Sequence, residues 1–302
     1  MPRAPSRLKL TADGKDTLLR FLARGGGIPE EEARAAIARG AAFLRGRRVR
    51  EPLAEVRTGD RVEVTLRESA AVALGKERVL HLDDQVLAVD KPAGVAAQED
   101  LAGGAALPLL CEVLLGKLGE EETQALLVHR LDRGTTGVTV LARTKQAQAA
   151  LLEEFRAHRV GKEYRALVSG APAADEGVID LALGAGKRGL RRLDPQGESA
   201  LTRYRVLERY EGAALISASP ATGRTHQIRV HLAALGCPLL GDVRYCGPAF
   251  LTQKDGSRLE CARPLLHALS LSLRHPDGSQ LSLAAPSPAD FEEACTWLRQ
   301  SR

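Results

Sequence analysis

The chain has 302 residues, 44% of them hydrophobic and 27% charged, with a formal net charge of +5. These are the proportions of a globular protein with room for one large core or two unequal ones. No apolar run approaches the roughly 18 residues of a membrane span, and the basic stretch Met1 to Arg7 has no apolar segment behind it, so neither a membrane nor a secretory signal is expected. Five cysteines, an odd number with no CxxC pair, argue against a disulfide framework or a zinc site and suit a reducing cytoplasm. Residues 1–69 hold 15 Lys/Arg against 10 Asp/Glu, so the whole excess of charge sits there and the remainder is neutral. A basic appendage on a neutral body predicts a polyanion-binding module joined to something else.

Leu18, Leu19 and Leu22 form a short helical face that ends at Gly25-Gly26-Gly27. Pro29 starts a second helix, with Glu30, Glu31 and Glu32 at its positive end and Ala33, Ala36 and Ile37 on its apolar face; Gly40 closes it. A turn at Gly46 carries Arg45, Arg47, Arg48 and Arg50, and Thr58-Gly59-Asp60 is expected to turn a hairpin into the alternating run Val62, Val64, Leu66. Two short helices, a basic turn and a GD-x-V-x-V strand over about 14–67 resemble the small RNA-binding module named after ribosomal protein S four (the αL motif). That resemblance implies that Arg34, Arg39, Arg45, Arg47 and Arg48 face RNA phosphates, binding without reading sequence. Residues 70–78 lack periodicity and read as a linker, giving a small domain at 1–69 and a large one at 79–302.

The large domain opens with two strands, Val79–Leu82 and Val86–Val89, around Asp83-Asp84, followed by the turn Asp90-Lys91-Pro92-Ala93-Gly94. Residues 99–104 read as a loop and Leu107–Leu118 as a helix. The stretch that organises the chain comes next: an apolar run at Ala125–Val128, the turn His129-Arg130-Leu131-Asp132-Arg133-Gly134-Thr135-Thr136-Gly137, and a β-branched run at Val138–Leu141. Strand, glycine-bounded turn and strand hold an Arg and an Asp at the lip of a sheet. The carboxylate is ionised at neutral pH and needs no base to act as a nucleophile. Four such residues alone are equally what an ion pair pinning a turn looks like.

An amphipathic helix over Lys145–Arg159 leads to a strand at Lys162–Val168 with Tyr164, Ala166 and Val168 on one face. Residues 184–197 read as an exposed Arg/Gly-rich loop; Gly184-Ala185-Gly186-Lys187 lacks the first Gly and the Ser/Thr of a phosphate loop, so no nucleotide site follows. Strands near 201–207 and 213–219 precede Gly223-Arg224-Thr225-His226-Gln227-Ile228-Arg229-Val230-His231, where Thr225 is expected to cap a helix running to Gly236. His226 and His231 are off the i, i+4 spacing of a helical metal pair, and no metal is expected there. A hairpin at 269–283 and a helix begun by Ser287-Pro288 complete the chain.

Taken together these motifs resemble the RluA class of pseudouridine synthases: HRLD-R-G-T-T-G at 129–137, K-E-Y at 162–164, GRTHQIRVH at 223–231 and DKPAG at 90–94, in family order over about 79–290. Thr136 stands where Ser is usual, and the His usual soon after KPAGV is replaced by Ala96-Ala97-Gln98. The resemblance implies an α+β fold, a mixed and mostly antiparallel sheet with flanking helices. It implies Asp132 as catalytic carboxylate, Arg229 as its partner and Tyr164 stacked on the target base. It places Arg130 in the gap left by a flipped uridine, and Lys162, Thr135, His226 and Gln227 among the substrate contacts.

Physics agrees with that cast. A base in a duplex must be extruded to be reached, and a planar guanidinium suits the vacancy. An Arg beside a partly buried Asp offsets the desolvation that would raise its pKa. The uracil stays in the pocket, so no cofactor, metal or energy source is expected, and RNA is the expected partner: ribosomal RNA ahead of tRNA, with the protein a cytoplasmic monomer. A non-catalytic RNA-binding protein and a nucleosidase releasing free uracil are the rival readings.

Overall fold

The computed structural model describes residues 6–28, 30–38, 40–66, 73–98, 106–253 and 255–300. They divide into two compact units, one reaching Ala73 and including Gln98, Ala106 and Leu107, the other formed by the rest from Leu74 onward. Residues 99–104 and Arg39, both singled out above, lie outside the described residues, as does part of the 70–78 segment.

In the first unit, helices Leu18–Gly25 and Glu30–Ala38 pack beside a four-stranded sheet in the order Ser6–Thr11, Arg61–Leu66, Ala42–Leu44, Arg47–Val49. Thr17 caps the first helix by accepting the Arg20 backbone N–H. The core is built from Leu18, Leu19, Leu22, Ala33, Ala36, Ile37, Val62 and Val64, the faces predicted from spacing. Arg45 and Gly46, at φ of 53° and 77°, make a two-residue loop between the last two strands. Positive φ at both positions matches the twist of a hairpin. The Thr58-Gly59-Asp60 turn does not close the expected hairpin: Glu55–Val56 pairs with Asp16–Thr17, while Arg61–Leu66 lies between Ser6–Thr11 and Ala42–Leu44. Its carboxylate closes the turn instead, Asp60 accepting the Arg57 backbone N–H and the Arg45 guanidinium.

The second unit is built on one ten-stranded sheet. Eight strands run in the order Glu176–Asp180, Leu201–Tyr210, Ala213–Pro220, Gly161–Ser169, Leu266–Arg274, Thr136–Ala142, Val86–Lys91, Val79–Leu82. All neighbours are antiparallel except Thr136–Ala142 and Leu266–Arg274, which pair in parallel only at Thr136↔His267 and Gly137↔Ala268. Beyond that point they diverge, Leu126–Leu127 pairing with the first and Gln280–Ala284 with the second. The Thr136–Ala142 strand is buried along its whole length, as its unbroken β-branched run requires of a strand covered on both faces. Gly137 is at φ 111°, and a Cβ there would lie 2.2 Å from the Ala268 carbonyl oxygen, so only glycine lets the two strands meet.

Helix Lys145–Arg156 lies over this junction, with Ala147 and Leu151 packed on Val138, Val140 and Leu271. Thr144 caps it, and it stops before Arg159 because His158 turns to φ 56°. The expected loop at 184–197 contains a small hairpin, Leu183–Ala185 with Arg191–Leu193, around a turn at Lys187–Gly189. Helix Ala289–Gln300 buries Phe291, Ala294, Cys295 and Leu298, the positions expected from spacing. All five cysteines are free thiols, and among the described residues no helix is long and apolar enough to cross a membrane.

Candidate active site

The turn between Leu126–Leu127 and Thr136–Ala142 is strapped down from below. Lys91, fully buried, donates from Nζ to the carbonyl oxygens of Pro92 (3.0 Å), Val95 (2.9 Å) and Arg133 (3.4 Å). Burial pushes this ammonium down to about 7, against the attraction of Asp132. The Gly94 N–H donates to the Arg133 carbonyl and the Arg133 guanidinium to the Gly94 carbonyl, at 2.8 and 3.0 Å. From the other side Arg263, bidentate on Asp290, donates to the Gly134 carbonyl at 3.1 Å. DKPAG therefore serves as the bed of the HRLD turn, a role its sequence alone did not disclose.

His129 is locked into the base of the same turn. Its Nε2 accepts the Val140 N–H at 2.9 Å and its ring stacks on Phe155 at 4.8 Å. Burial, with a smaller contribution from the Lys162 charge, pushes its pKa down to about 3, so it is a neutral imidazole. Thr136 Oγ1 meets His267 Nδ1 at 2.9 Å while His267 Nε2 lies 3.2 Å from the Ala285 carbonyl. The carbonyl can only accept, so Nε2 carries the proton and Thr136 donates to Nδ1. A hydroxyl suffices for this contact, which accounts for Thr in place of Ser.

The turn opens on a pocket of about 490 Å³, lined by residues from three of the sequence motifs. Asp132, Arg130, Thr135, Lys162, Tyr164, His226, Gln227 and Arg229 all border it, as do Arg156 and Arg224. Among the described lining residues Asp132 is the one acid, beside five Lys and Arg. Such a wall attracts a polyanion and holds one carboxylate in a field of positive charge.

Asp132 accepts from Arg229 Nη1 at 2.9 Å. The other edge of that guanidinium is held by Asp242, with Nε at 2.6 Å from Oδ2 and Nη2 at 2.8 Å from Oδ1. Its face lies 4.9 Å from the Tyr245 ring. Asp242 and Arg229 are 1% and 6% exposed, so this fork is fixed before any ligand arrives. Burial opposes the charge on Arg229, but its two carboxylate partners outweigh that and raise its pKa above the usual arginine value. Neither Asp242 nor Tyr245 was singled out in the sequence: they sit in an irregular turn with no recognisable spacing to the other motifs.

Thr225 does not cap the helix that carries Arg229. The helix spans Gln227–Ala234, and the residue before it is His226 in the left-handed region at φ 57°, without a side-chain cap. The strained backbone aims the imidazole at the pocket instead, Nδ1 at 2.8 Å from Tyr245 Oη and Nε2 at 3.8 Å from Asp132 Oδ1. Tyr245 Oη also accepts the Arg191 N–H at 2.8 Å. The network is satisfied when the phenol donates to Nδ1, which places the ring's own N–H toward the Asp132 carboxylate. Burial lowers the His226 pKa, in keeping with this neutral tautomer.

Gln227 is a clamp. Its Nε2 donates to the Leu201 carbonyl and to Thr202 Oγ1, and its Oε1 accepts from Thr222 Oγ1 and the Arg224 N–H, so its polar atoms are already engaged within the protein. Lys162 donates to the Thr222 carbonyl at 3.1 Å, and burial pushes it down to about 8. Tyr164 follows a shift of register between Glu163 and Tyr164. Burial, reinforced by the Asp132 charge, raises its pKa, so the phenol keeps its proton. Arg130 is exposed at the rim. His231 does not join His226: it is fully buried between Thr202 Oγ1 and the Leu181 carbonyl.

In the first unit, Arg45, Arg47 and Arg48 lie on the exposed side of the hairpin, with Arg48 over the Phe43 ring at 5.3 Å. Arg34 is paired with Glu30 at 3.0 Å and Arg45 with Asp60 at 2.6 Å, both at the surface.

Residues 85–234 match the family model for RNA pseudouridylate synthase. An uncharacterised RNA pseudouridine synthase of Mycobacterium bovis is 40% identical over 228 residues, covering 73% of this chain and 72% of that protein. The chain therefore belongs to the RluA family of RNA pseudouridine synthases, which are isomerases. The ribosomal large subunit pseudouridine synthase C of Vibrio cholerae is 36% identical over 225 residues, covering 74% of this chain and 70% of its own length. Among solved structures, human RNA pseudouridylate synthase domain containing 4 superposes with a TM-score of 0.60 at 30% identity, over 74% of this chain and 93% of that one.

Proposed function

We propose that this chain isomerises specific uridines to pseudouridine in structured RNA, large-subunit ribosomal RNA ahead of tRNA, and that Asp132 is the catalytic carboxylate. The observation that carries this is the one carboxylate among the described residues of a cationic pocket, set by an arginine that is itself clamped by Asp242. The Vibrio relative's name supports the choice of RNA. The protein acts in the cytoplasm as a monomer, and its first unit is an S-four-like module that binds RNA phosphates through Arg34, Arg39, Arg45, Arg47 and Arg48.

The target uridine is flipped into the pocket while Arg130 fills its place in the stack. Asp132 attacks the nucleoside, the bond from uracil nitrogen 1 to the sugar breaks, and the uracil turns without leaving. Carbon 5 then joins the sugar as the bond to Asp132 breaks and restores the carboxylate, a proton leaves carbon 5, and nitrogen 1 gains one, so the reaction is redox-neutral. Arg229 holds and aims Asp132. Tyr164, its phenol protonated, offers a stacking face and a hydrogen-bond donor rather than an anionic base. Lys162, Thr135 and His226 border the base and sugar, and Gln227 holds the loop that carries Arg224.

Tritium release from RNA labelled at carbon 5 of uridine tests the proposal, with unmodified large-subunit RNA and tRNA in parallel. Wild type should release tritium from the ribosomal RNA, and Asp132→Asn should release none while binding that RNA within a few-fold of wild type. Release by Asp132→Asn would remove Asp132 from its role; free uracil among the products would make the chain a nucleosidase. Binding without release from either RNA would leave only an RNA-binding protein.

A further inference from the structure

Away from the pocket, two histidines and an aspartate converge where the Val79–Leu82/Val86–Lys91 turn meets the Leu266–Arg274/Gln280–Ala284 hairpin. His81 Nε2 lies 2.7 Å and His275 Nε2 3.1 Å from Asp83 Oδ2, and the three ligand atoms fall within 4.8 Å of one another. None of the three residues lines the pocket.

The cluster is built rather than accidental. Asp83 Oδ1 is occupied by the Gln85 and Val86 N–H groups, both at 2.8 Å, which turns Oδ2 toward the histidines. Arg143, itself buried, donates to the Asp83 carbonyl at 2.7 Å and holds the turn in place. His275 is 7% exposed, and its Nε2 is buried without a hydrogen-bond partner: Asp83 Oδ2 is near, but not where a ring N–H could donate to it. Protonated, that nitrogen is a donor without an acceptor. Bare, it sets a lone pair against a carboxylate oxygen, two acceptors in contact. Both states carry the cost of an unmet buried polar group.

We propose that this cluster is a divalent d-block cation site, taking Zn²⁺ through His81 Nε2, Asp83 Oδ2 and His275 Nε2, with a water in the fourth position. Two imidazoles and a carboxylate are zinc's donor set, whereas calcium and magnesium take oxygen. Tetrahedral ligands about 2.0–2.1 Å from zinc stand about 3.3 Å apart, so the contacts of 2.7 and 3.1 Å open by about 0.6 and 0.2 Å while the two histidine nitrogens, within 4.8 Å of each other, draw in. Asp277 faces His275 Nδ1 with its Oδ1 at 2.9 Å and its backbone N–H at 3.3 Å; with zinc on Nε2, the Nδ1 proton goes to the carboxylate. That is the outer carboxylate that commonly orients a metal-bound histidine. Bound there, the ion staples two turns that no strand pairing joins directly. The site is structural and does not depend on which RNA the enzyme uses.

The full chain, stripped with chelator, is titrated with Zn²⁺ alone by calorimetry at pH 7.5, and its melting is followed with and without the ion. One Zn²⁺ per chain is expected, with a rise in Tm of at least about 5 °C at a hundredfold excess over Kd. His81→Ala, at a half-exposed position, should weaken binding at least about 100-fold, and Asp277→Asn about 10-fold. Cys246→Ser, which removes the exposed thiol, should change nothing. X-ray absorption at the zinc edge should show nitrogen and oxygen ligands without sulfur. Absence of a stoichiometric site in the folded wild type, full retention of binding in His81→Ala, or sulfur in the first coordination sphere would each overturn the assignment.

Discussion

Replacing Asp242 by Asn tests whether the active-site arginine is aimed from behind. The amide keeps one acceptor for the Arg229 fork and turns the other into a donor facing a guanidinium N–H. Both bonds, at 2.6 and 2.8 Å, are charge-assisted and made between groups almost sealed from water. Losing one such bond costs about 1.5–3 kcal/mol, and breaking a buried pair on one side about 3–5. A loss near 3 kcal/mol is expected, a fall in Tm of about 6–12 °C for a unit of this size. The rate should suffer separately. Held by Asp132 and a single amide oxygen, the guanidinium can pivot, and a shift of about 1 Å at a reacting group costs about 100-fold. Single-turnover tritium release, measured well below the variant's Tm, should fall by about that factor while RNA affinity stays within threefold. A rate within threefold of wild type, despite the lowered Tm, would show that Asp242 stabilises the fold without aiming Arg229.

Gly137→Ala should destabilise by at least about 3 kcal/mol, since a Cβ 2.2 Å from the Ala268 oxygen and a positive φ both oppose it; urea unfolding showing a loss below 1 kcal/mol would refute the close approach. His129, His231 and His267 are held neutral by burial, His129 down to about 3. The unfolded chain therefore takes up protons first as pH falls. Their contribution to stability is complete above the unfolded value near 6.5 and is lost below it, at up to about 1.4 kcal/mol per pH unit for each histidine. Denaturant midpoints that stay level from pH 6.5 to 5 would contradict this. Arg47→Gln with Arg48→Gln should weaken RNA binding and reduce its logarithmic salt slope by about 1–2; an unchanged slope would take that hairpin out of the RNA contact.

Periodicity read the packed elements well because burial writes it directly. The faces of Leu18–Leu22, Ala33–Ile37 and Phe291–Leu298 are in the core as spaced. It failed where a side chain or a long-range contact decides the backbone. Asp60 closes a turn that resembled a hairpin. At the helix carrying Arg229, Thr225 had the chemistry of a cap, yet His226 takes the entry position in a conformation that serves Tyr245 and Asp132. The motifs brought Asp132, Tyr164 and Arg229 to attention, but Asp242 and Lys91 act through folded geometry, one behind the arginine and the other beneath the turn. No local pattern marks Asp242, and DKPAG marks Lys91 without showing what its ammonium holds.

The parallel contact of Thr136 with His267 joins residues 131 positions apart. At about 5–20 residues per second, a ribosome needs roughly 7–26 s to supply the second after the first. Through that interval the most β-branched strand of the protein has Val86–Lys91 along one edge and, on the other, Leu126–Leu127 at its far end with Thr136 and Gly137 still unpaired. An open apolar edge invites pairing with other chains. The nascent enzyme is thus both inactive and adhesive until its C-terminal hairpin emerges, so its yield in a cell should depend on elongation rate and on chaperones that cover that edge.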